Sequence, residues 1–390
     1  MDLTDIPEDT VVFSYRGQLE ELLETKSLPK GFRKRLREGR LDLFNNPRLQ
    51  VALRKDNLVR ILAKHEVPIP LTVHNSRTYS HIYGPDHTGK YHSDSEIVRG
   101  DEPVRDEEVL SDLLCPRDNE FFMVKGISSH NAEQIGQMQK GSFPVAFIAR
   151  NTLAQEFIYP PFEDGKIREL RFLIVNGDIV DVIPRQANLP VFDDGGDPVR
   201  IITSKYQLYA AWVLNEGLPK AFKDYYEAAK ETALQAYKAV KVSYHDQKVG
   251  RVLRTPHDSF DWACVDIIFD RNGNPRVLEV DTNHDISNPL LINRDLRDEV
   301  FDVLSQYVGK RHLLIVEQKD DQPIGETTAG LLSLLMGSEE FYRVSKGATR
   351  SSQDLMFDLL RAELETRGVN STQITYSSIP TRRDKYKLVS

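Results

Sequence analysis

The sequence feature that most constrains the fold is a turn signal between two apolar segments. Asn272-Gly273 lies between Phe260–Phe269 and Arg276–Asp281. Asn-Gly is the strongest short signal for a β-hairpin, because both residues tolerate the positive φ of a tight two-residue turn. Both flanking segments carry apolar residues at odd and even positions, which is typical of strands that are buried on both faces. We therefore predict an antiparallel hairpin inside the core.

Three carboxylates lie on one face of this predicted hairpin. A symmetric turn places Asp266 opposite Glu279 and Asp281 opposite Cys264, and side chains alternate between faces with period two. Like charges opposite one another destabilise a sheet unless a positive charge lies between them. Magnesium suits a small set of carboxylate oxygens, because substrate phosphates and water complete its coordination. The alternative is that the carboxylates point to solvent and are bridged by lysine or arginine, which the apolar surroundings disfavour.

A second hairpin and a long helix are also predicted. Asn176-Gly177 separates Ile167–Val175 from Asp178–Ile183, and apolar residues at helical spacing run over 218–242. Upstream, strands are predicted at Phe121–Lys125 and Ala154–Ile158. A further helix has the apolar stripe Leu58, Ile61 and Leu62, with Asp56 as its predicted cap. Hairpins mixed with helices, without an internal repeat, predict an α+β protein.

The segment from Thr72 to Val109 is polar, and we predict a surface loop or insertion there. Its histidines are His74, His81, His87 and His92. Their spacing does not repeat in the close pairs that zinc sites use, so a zinc site is disfavoured.

Composition limits the compartment and the partners. The formal net charge of -8 gives no general attraction for a nucleic-acid backbone, which argues against nucleic acid as a partner. Two cysteines, Cys115 and Cys264, cannot form a disulfide framework, and no apolar run is long enough to span a bilayer. We therefore predict a cytoplasmic protein without a membrane segment, and a homo-oligomer stays an open alternative.

Several motifs follow one another in a fixed order along the chain. They are Asp56 to Pro68-Ile69-Pro70-Leu71-Thr72, Phe122-Met123-Val124-Lys125, Gln155-Glu156-Phe157-Ile158, Glu169-Leu170-Arg171 with Arg185, and Asp266 with Glu279-Val280-Asp281. In order and spacing this set resembles the ATP-grasp superfamily, and within it the RimK-type carboxylate-amine ligases. The chain departs from the family pattern in Asn57, where lysine is usual, in Asp281, where asparagine is commoner, and after Lys125, where one glycine replaces a glycine-rich lid.

The resemblance implies an α+β ATP-grasp fold, in which two α+β subdomains grip ATP, with an N-terminal substrate-side domain and a C-terminal extension. The corresponding boundaries are 1–115 for the substrate-side domain with its polar insertion and 116–160 for the nucleotide-lid subdomain. Residues 161–310 would form the metal-binding subdomain, and 311–390 an extension of unknown role.

The resemblance also assigns roles to individual residues. Lys125 would reach the ATP phosphates, and Ser128 and Ser129 would lie in the lid. The adenine hinge would consist of Gln155, Glu156, Phe157 and Ile158, and Glu163 would bind the ribose. Asp266, Glu279 and Asp281 would hold the metal ion.

Two arginines, Arg171 and Arg185, are the predicted catalytic residues of the family pattern. For Arg171 a surface ion pair with Glu169 is the alternative, and the direction of Arg185 cannot be deduced because it follows Pro184. Asn283, His284 and Asn288 lie near the metal motif, where a turn role and a ligand role are both open.

The function that follows from the resemblance is ATP-dependent carboxylate-amine ligation. Mg²⁺, with Mn²⁺ as an alternative ion, and ATP would activate a carboxylate substrate as an acyl phosphate. An amine acceptor such as an amino acid, a peptide or a small amine would then form the amide, with release of ADP and phosphate. Two alternatives stay open: an ATP-grasp kinase that phosphorylates a hydroxyl, and a nucleotide-binding interaction module that no longer catalyses.

Overall fold

The structure is a computed structural model, and the described residues are 7, 10–14, 30–38, 40–44, 53–75, 80–86, 88–96, 98–99, 102–103, 113–115, 121–126, 135–139, 152–159, 161, 166–175, 177–188, 191–192, 198–200, 220–246, 262–281, 298, 302, 305–306, 308–319, 362, 364–369 and 371–377. The strands are β1 (Thr10–Ser14), β2 (Asp42–Phe44), β3 (Thr72–Asn75), β4 (Ser80–Pro85), β5 (Tyr91–Glu96), β6 (Val98–Arg99), β7 (Glu102–Pro103), β8 (Phe121–Gly126), β9 (Ile135–Gln139), β10 (Thr152–Glu156), β11 (Lys166–Val175), β12 (Asp178–Asn188), β13 (Val191–Phe192), β14 (Pro198–Arg200), β15 (Trp262–Phe269), β16 (Pro275–Asp281), β17 (His312–Lys319) and β18 (Ser371–Ser377). The helices are α1 (Lys30–Arg37), α2 (Lys55–Lys64), α3 (Lys220–Lys223) and α4 (Tyr226–Asp246).

The chain forms two compact units. Unit 1 comprises Met1–Arg48, Lys248–Trp262 and Thr282–Ser390, and unit 2 comprises Leu49–Gln247 and Ala263–Asp281. In unit 1 a parallel sheet has the strand order β18-β17-β1-β2. The segment predicted as a C-terminal extension thus contributes β17 and β18 to the sheet of β1. The four-part division of the chain stays a prediction, whereas the mixture of sheets and helices confirms the α+β class.

A six-stranded antiparallel sheet in unit 2 has the order β5-β4-β3-β10-β8-β9. The prediction of a loop between Thr72 and Val109 was wrong, because β3, β4 and β5 lie in this segment. The polar pattern was misleading since one face of these strands is polar. Val73 and Ile82 belong to a buried apolar cluster, whereas their neighbours His74 and His81 pair with each other on the other face.

The second large sheet of unit 2 consists of the two predicted hairpins, in the order β12-β11-β15-β16. Gly177 and Gly273 have φ values of 94° and 79°, which glycine adopts at little steric cost. A Cβ atom at Gly273 would also overlap Cε1 of Tyr225. Both hairpin predictions are therefore confirmed, and the second turn excludes any side chain at its glycine.

The predicted register of the second hairpin is confirmed at the carboxylates. Asp266 pairs with Glu279, and Cys264 pairs with Asp281. Asp266 is buried, whereas Glu279 and Asp281 are half-buried. The three carboxylates therefore lie on one face of the hairpin, as the alternation of side chains predicts.

The turn itself differs from the symmetric two-residue loop of the prediction. Phe269 pairs with Pro275, so five residues lie between the paired positions, and the register nearer the turn is shifted by one. Ile267 pairs with Val277, which leaves Leu278 as an extra residue in β16. This β-bulge restores the predicted pairing further from the turn.

The helix predicted over 218–242 is divided in two in the structure. Helix α3 ends at Lys223 and α4 begins at Tyr226. Tyr225 lies in the intervening turn, where its ring packs against Phe269 with centroids 5.2 Å apart. A tertiary contact thus overrides the local helical pattern.

The helical spacing predicts that Phe222, Tyr226, Ala229 and Ala233 pack on a sheet. Phe222, Ala229 and Ala233 are buried, and Tyr226 is half-buried with its ring stacked on that of Phe172. None of the described helices has the length and apolar character needed to cross a membrane.

Helix α2 begins two residues before its predicted start, at Lys55. Arg54 occupies the N-cap position and no side chain caps the helix there, so the assignment of Asp56 as the cap was wrong. The Asp56 carboxylate instead accepts hydrogen bonds from Nε and Nη2 of Arg54, at 2.7 and 2.6 Å. The apolar residues Leu58, Ile61 and Leu62 are buried as predicted. The earlier start brings Lys55 into the first turn of the helix.

We predict that Gly273→Ala destabilises the protein more than Gly89→Ala does. Both glycines have positive φ, so each substitution introduces backbone strain of about 1–3 kcal/mol. Only Gly273 faces Tyr225, since no atom lies within 4 Å of a Cβ atom at Gly89. Urea unfolding followed by circular dichroism measures both free energies. Equal losses would contradict the proposed packing of Tyr225 against the turn.

Candidate active site

A buried arginine binds the central carboxylate of the hairpin. Arg171 of β11 donates from Nε to Oδ1 of Asp266 and from Nη2 to Oδ2, both at 2.6 Å. The two side chains are 7% and 3% exposed, so the surface ion pair considered as the alternative role of Arg171 is excluded. Burial lowers the pKa of Arg171. The charge of Asp266 and its hydrogen bonds raise that pKa by more than burial lowers it, so the net shift is upward. This guanidinium therefore stays charged.

A second buried arginine joins the same group. Arg185 of β12 lies directly opposite Glu169 of β11, and its Nη1 donates to Oε1 of Glu169 at 3.0 Å. The same nitrogen lies 3.5 Å from Oδ2 of Asp266. Strand β12 continues through Pro184, which fixes the direction of Arg185 that the sequence left open. We call Glu169, Arg171, Arg185 and Asp266 the inner cluster.

The other two carboxylates of the hairpin have a different environment. Burial raises the pKa of Glu279, and the nearby charges of Asp281 and Asp266 raise it further, against the effects of Lys55 and Arg171. We call Glu279 and Asp281 the outer carboxylates. They are half-buried, and burial, the largest cause of the raised pKa of Glu279, disfavours its charged form.

Lys55, which sequence analysis missed, lies near the outer carboxylates. Burial lowers the pKa of its ammonium group, and the charges of Glu279 and Asp281 oppose this shift. In the family pattern the lysine is usual at the position of Asn57, two residues after Lys55. The signal that could have identified Lys55 is its position directly before Asp56, in the first turn of the same helix.

The carboxylate oxygens of the hairpin suit a hard cation. Among the described residues, no group of three or more His, Cys, Asp and Glu side chains is arranged to hold a metal ion. The carboxylate of Asp266 accepts two hydrogen bonds from Arg171 and lies 3.5 Å from Nη1 of Arg185. Glu279 and Asp281 also offer carboxylate oxygens, and magnesium in nucleotide sites is commonly held by one or two carboxylates plus phosphates. The three-residue metal site stays a prediction.

The predicted adenine hinge lies at the end of β10. Gln155 accepts a hydrogen bond from Nζ of Lys125 at 2.5 Å and donates from Nε2 to Oγ1 of Thr72 at 3.0 Å. The carboxylate of Glu156 accepts a hydrogen bond from the backbone N–H of Leu71 at 2.7 Å. The structure therefore brings Lys125 and Gln155 together, and it ties Glu156 to the backbone next to β3.

An apolar cluster adjoins these groups. Its buried members are Met123, Phe157, Ile158, Ile167 and Ile268, and Tyr159 and Leu278 pack against it. We call the five buried residues the apolar floor. The floor joins the predicted hinge to the turn end of the carboxylate hairpin.

On three strands a charged residue lies close to a residue of the apolar floor. On β8, Lys125 lies two residues beyond Met123, and on β11, Glu169 and Arg171 lie two and four residues beyond Ile167. On β15, Asp266 lies two residues from Ile268. Residues two apart share a face and are about 7 Å apart along a strand. On each of these strands, the face that carries a floor residue thus also carries a charged residue.

Other predicted residues lie outside the described part of the chain. These are Ser128, Ser129 and Glu163, together with Asn283, His284 and Asn288. Their roles stay predictions.

Comparison with known proteins identifies similar solved structures only. No protein-family model matches the chain, and no curated protein is significantly similar. The ATP-grasp ligase PsnB complexed with a minimal precursor matches at 13% identity and a TM-score of 0.36, over 69% of this chain and 65% of that chain. The D-cycloserine synthetase DcsG matches at 14% identity and a TM-score of 0.42, over 79% and 86%.

A third similar structure is the D-alanine-D-alanine ligase from Coxiella burnetii. It matches at 14% identity and a TM-score of 0.36, over 70% of this chain and 59% of that chain. The match therefore spans less than two thirds of this ligase and of PsnB. All three matches have TM-scores below 0.5, and similarity at this level assigns neither a family nor an activity.

We predict that Glu279→Gln raises the thermal stability of the ligand-free protein at pH 8. An acid whose pKa is raised on folding destabilises the folded state as it ionises, so the stability of the wild type falls as pH rises through that raised pKa. The difference in melting temperature between Glu279→Gln and the wild type should appear above the ordinary glutamate pKa of about 4.3 and vanish below it.

Calorimetric melting temperatures between pH 4 and pH 8, with Mg²⁺ removed by a chelator, measure this difference. Glu231→Gln, at an exposed position in α4, is the matched control and should show no such trend. A Glu279→Gln variant that is less stable than the wild type at pH 8 would contradict the crowding of negative charge around Glu279.

Proposed function

We propose that this chain is an ATP-grasp ligase that activates a carboxylate with ATP and joins it to an amine. The observation that carries the proposal is that each of β8, β11 and β15 has a residue of the apolar floor and a charged residue on the same strand face, the charged residues being Lys125, Arg171 and Asp266. An adenine nucleotide likewise combines an apolar ring with charged phosphates.

The apolar floor suits an adenine ring. Phe157 and Tyr159 pack edge to face with centroids 4.8 Å apart, so a flat ring would find an aromatic and aliphatic surface there. Gln155 and Lys125, joined by a hydrogen bond, mark the edge of the floor nearest the charged residues. Backbone groups of the 155–158 hinge would then read the polar edge of the base.

The charged residues suit the phosphates. Lys125 would add a point charge to the α- or β-phosphate, and the Arg171 and Arg185 guanidinium groups are held in fixed positions by Asp266 and Glu169. Such groups stabilise the transferring phosphoryl group without reorganising during the reaction. Glu279 and Asp281 would hold Mg²⁺, which would supply positive charge near the phosphates.

The reaction would proceed in two steps. A substrate carboxylate oxygen attacks the γ-phosphorus, ADP leaves, and an acyl phosphate forms. The amine then attacks the acyl carbon, and phosphate leaves. Arg171 or Arg185 would stabilise the anionic tetrahedral intermediate. No enzyme nucleophile is required, and Cys264, the one cysteine in the site, is fully buried with its pKa raised by burial.

The kinase alternative shares the first transfer and differs in its product. We predict that the purified protein, incubated with ATP, Mg²⁺ and pools of amino acids and peptides, releases ADP and phosphate in equal amounts. Mass spectrometry should detect a condensation product lighter than its two reactants by one water. A product heavier by one phosphoryl group would identify a kinase, and AMP with pyrophosphate would exclude acyl-phosphate chemistry.

We predict that Arg171→Lys lowers kcat about a hundredfold, since a lysine cannot replace the planar fork that holds Asp266 and the phosphoryl group. Arg168→Lys is the matched control, because Arg168 lies on the same strand but on the opposite face. Steady-state kinetics, with thermal melting to check folding, compare the two. A lysine variant with near-normal kcat would remove Arg171 from the mechanism.

A further inference from the structure

A row of paired residues crosses the middle of the six-stranded sheet on one face. Gln155 of β10 pairs with Thr72 of β3 on one side and with Met123 of β8 on the other. Residues that pair across antiparallel strands share a face, and Lys125 shares it too, because it lies two residues beyond Met123. A long side chain can reach such a diagonal neighbour. The register therefore allows Thr72 and Lys125 to meet Gln155 from opposite sides.

The side chains of Thr72, Gln155 and Lys125 form a series of hydrogen bonds, which we call the hydrogen-bond relay. Lys125 can only donate, so the atom of Gln155 that lies 2.5 Å from its Nζ is the amide oxygen. The amide nitrogen of Gln155 then donates to Oγ1 of Thr72, at 3.0 Å. The Thr72 hydroxyl donates in turn to the carbonyl oxygen of Pro70, at 2.8 Å. Because an ammonium group can only donate and a carbonyl oxygen can only accept, every bond in the relay has one direction.

Burial makes the orientation of the Gln155 amide matter. Thr72 is 0% exposed and Gln155 is 5% exposed, whereas Lys125 is half-buried. A buried polar group that loses its partner keeps the cost of its lost hydration. If the amide were reversed, its NH₂ group would face the ammonium group of Lys125, donor against donor. Thr72 therefore determines that the oxygen of the amide, and not its nitrogen, faces Lys125.

A glutamine at position 155 holds the lysine without cancelling its charge. A carboxylate there would form an ion pair with Lys125 and would lower the positive potential that a phosphate could meet. The amide oxygen of Gln155 is neutral, so the ammonium group keeps its attraction for anions. The relay thus gives Lys125 a defined position together with its full charge.

We propose that Thr72 and Gln155 are positioning residues for Lys125, which they hold where it meets the phosphates of the nucleotide. This inference rests on the proposed function, in which Lys125 contacts the α- or β-phosphate. It gives a task to Thr72, the last residue of the motif at 68–72. It also separates two parts of Gln155, because the backbone of this residue would face the base whereas its side chain serves the phosphates.

Two ligands distinguish this positioning role from a structural one. A non-hydrolysable ATP analogue carries the base and the phosphates, whereas adenosine carries the base alone. Thr72→Val removes the hydroxyl at nearly constant size, and it should weaken binding of the analogue about tenfold, in line with the loss of a hydrogen bond that supports a charged group. The Kd of adenosine should not change. Thr72→Ser keeps the hydroxyl and should bind both ligands as the wild type does, which isothermal titration calorimetry measures.

Thr232→Val is the matched control for the loss of a buried hydroxyl. Thr232 is buried in α4, and its hydroxyl also donates to a backbone carbonyl, that of Ala228, at 2.9 Å. This variant should bind both ligands normally. Normal binding of the analogue by Thr72→Val, or equal weakening of both ligands, would overturn the inference. A wild-type protein that binds neither ligand would instead overturn the proposed function, and the inference with it.

A measurement without substitutions covers the case in which Thr72→Val does not fold. Crystals of the wild-type protein with the ATP analogue show where the relay lies when the phosphates are bound. The expected result is Nζ of Lys125 within hydrogen-bond distance of both a phosphate oxygen and Oε1 of Gln155. A Gln155 side chain that is hydrogen-bonded to the base, or a Lys125 ammonium group away from the phosphates, would overturn the inference.

Discussion

The ion pair between Arg171 and Asp266 is the interaction on which the site depends, because it joins neighbouring strands of the two hairpins. Strand β11 lies beside β15 in the sheet, and the pair places two opposite charges between them in a buried position. Breaking such a pair by removing one partner typically costs about 3–5 kcal/mol, although the intact pair contributes little net stability over apolar residues. Its value to the protein is therefore a fixed, charged guanidinium at a defined place.

Around this pair, the alternation of side chains places apolar and charged residues on the same strand faces. Each of β8, β11 and β15 carries an apolar residue in the floor and a charged residue two positions along. Strands β11 and β15 are neighbours in the four-stranded sheet, β8 belongs to the six-stranded sheet, and the apolar floor joins the two sheets. An apolar floor with charged residues beside it on these strands is the surface that we propose for a nucleotide.

Local features of this arrangement could be predicted from the sequence. The Asn-Gly signals give both hairpins, and period two gives the common face of Asp266, Glu279 and Asp281. The register was correct although the turn was not symmetric, since the bulge at Leu278 compensates for the longer loop. A sequence pattern cannot show that compensation, because a bulge depends on the packing of both strands.

Features that depend on distant parts of the chain could not be predicted. The partner of Arg171 follows from the adjacency of β11 and β15, which are far apart in sequence. The break between α3 and α4 depends on Tyr225 packing against Phe269 and the turn glycine. Lys55 was missed because its role depends on where helix α2 begins relative to β16.

Photoaffinity labelling with an azido-adenine derivative of ATP tests the central claim most directly, because the reactive group is on the base. The account predicts labelling within 121–126, 155–159 or 266–278, around the apolar floor, and loss of this labelling when excess ATP is present. Peptide mapping by mass spectrometry locates the label. ATP-sensitive labelling confined to unit 1, or labelling that excess ATP does not reduce, would contradict the account.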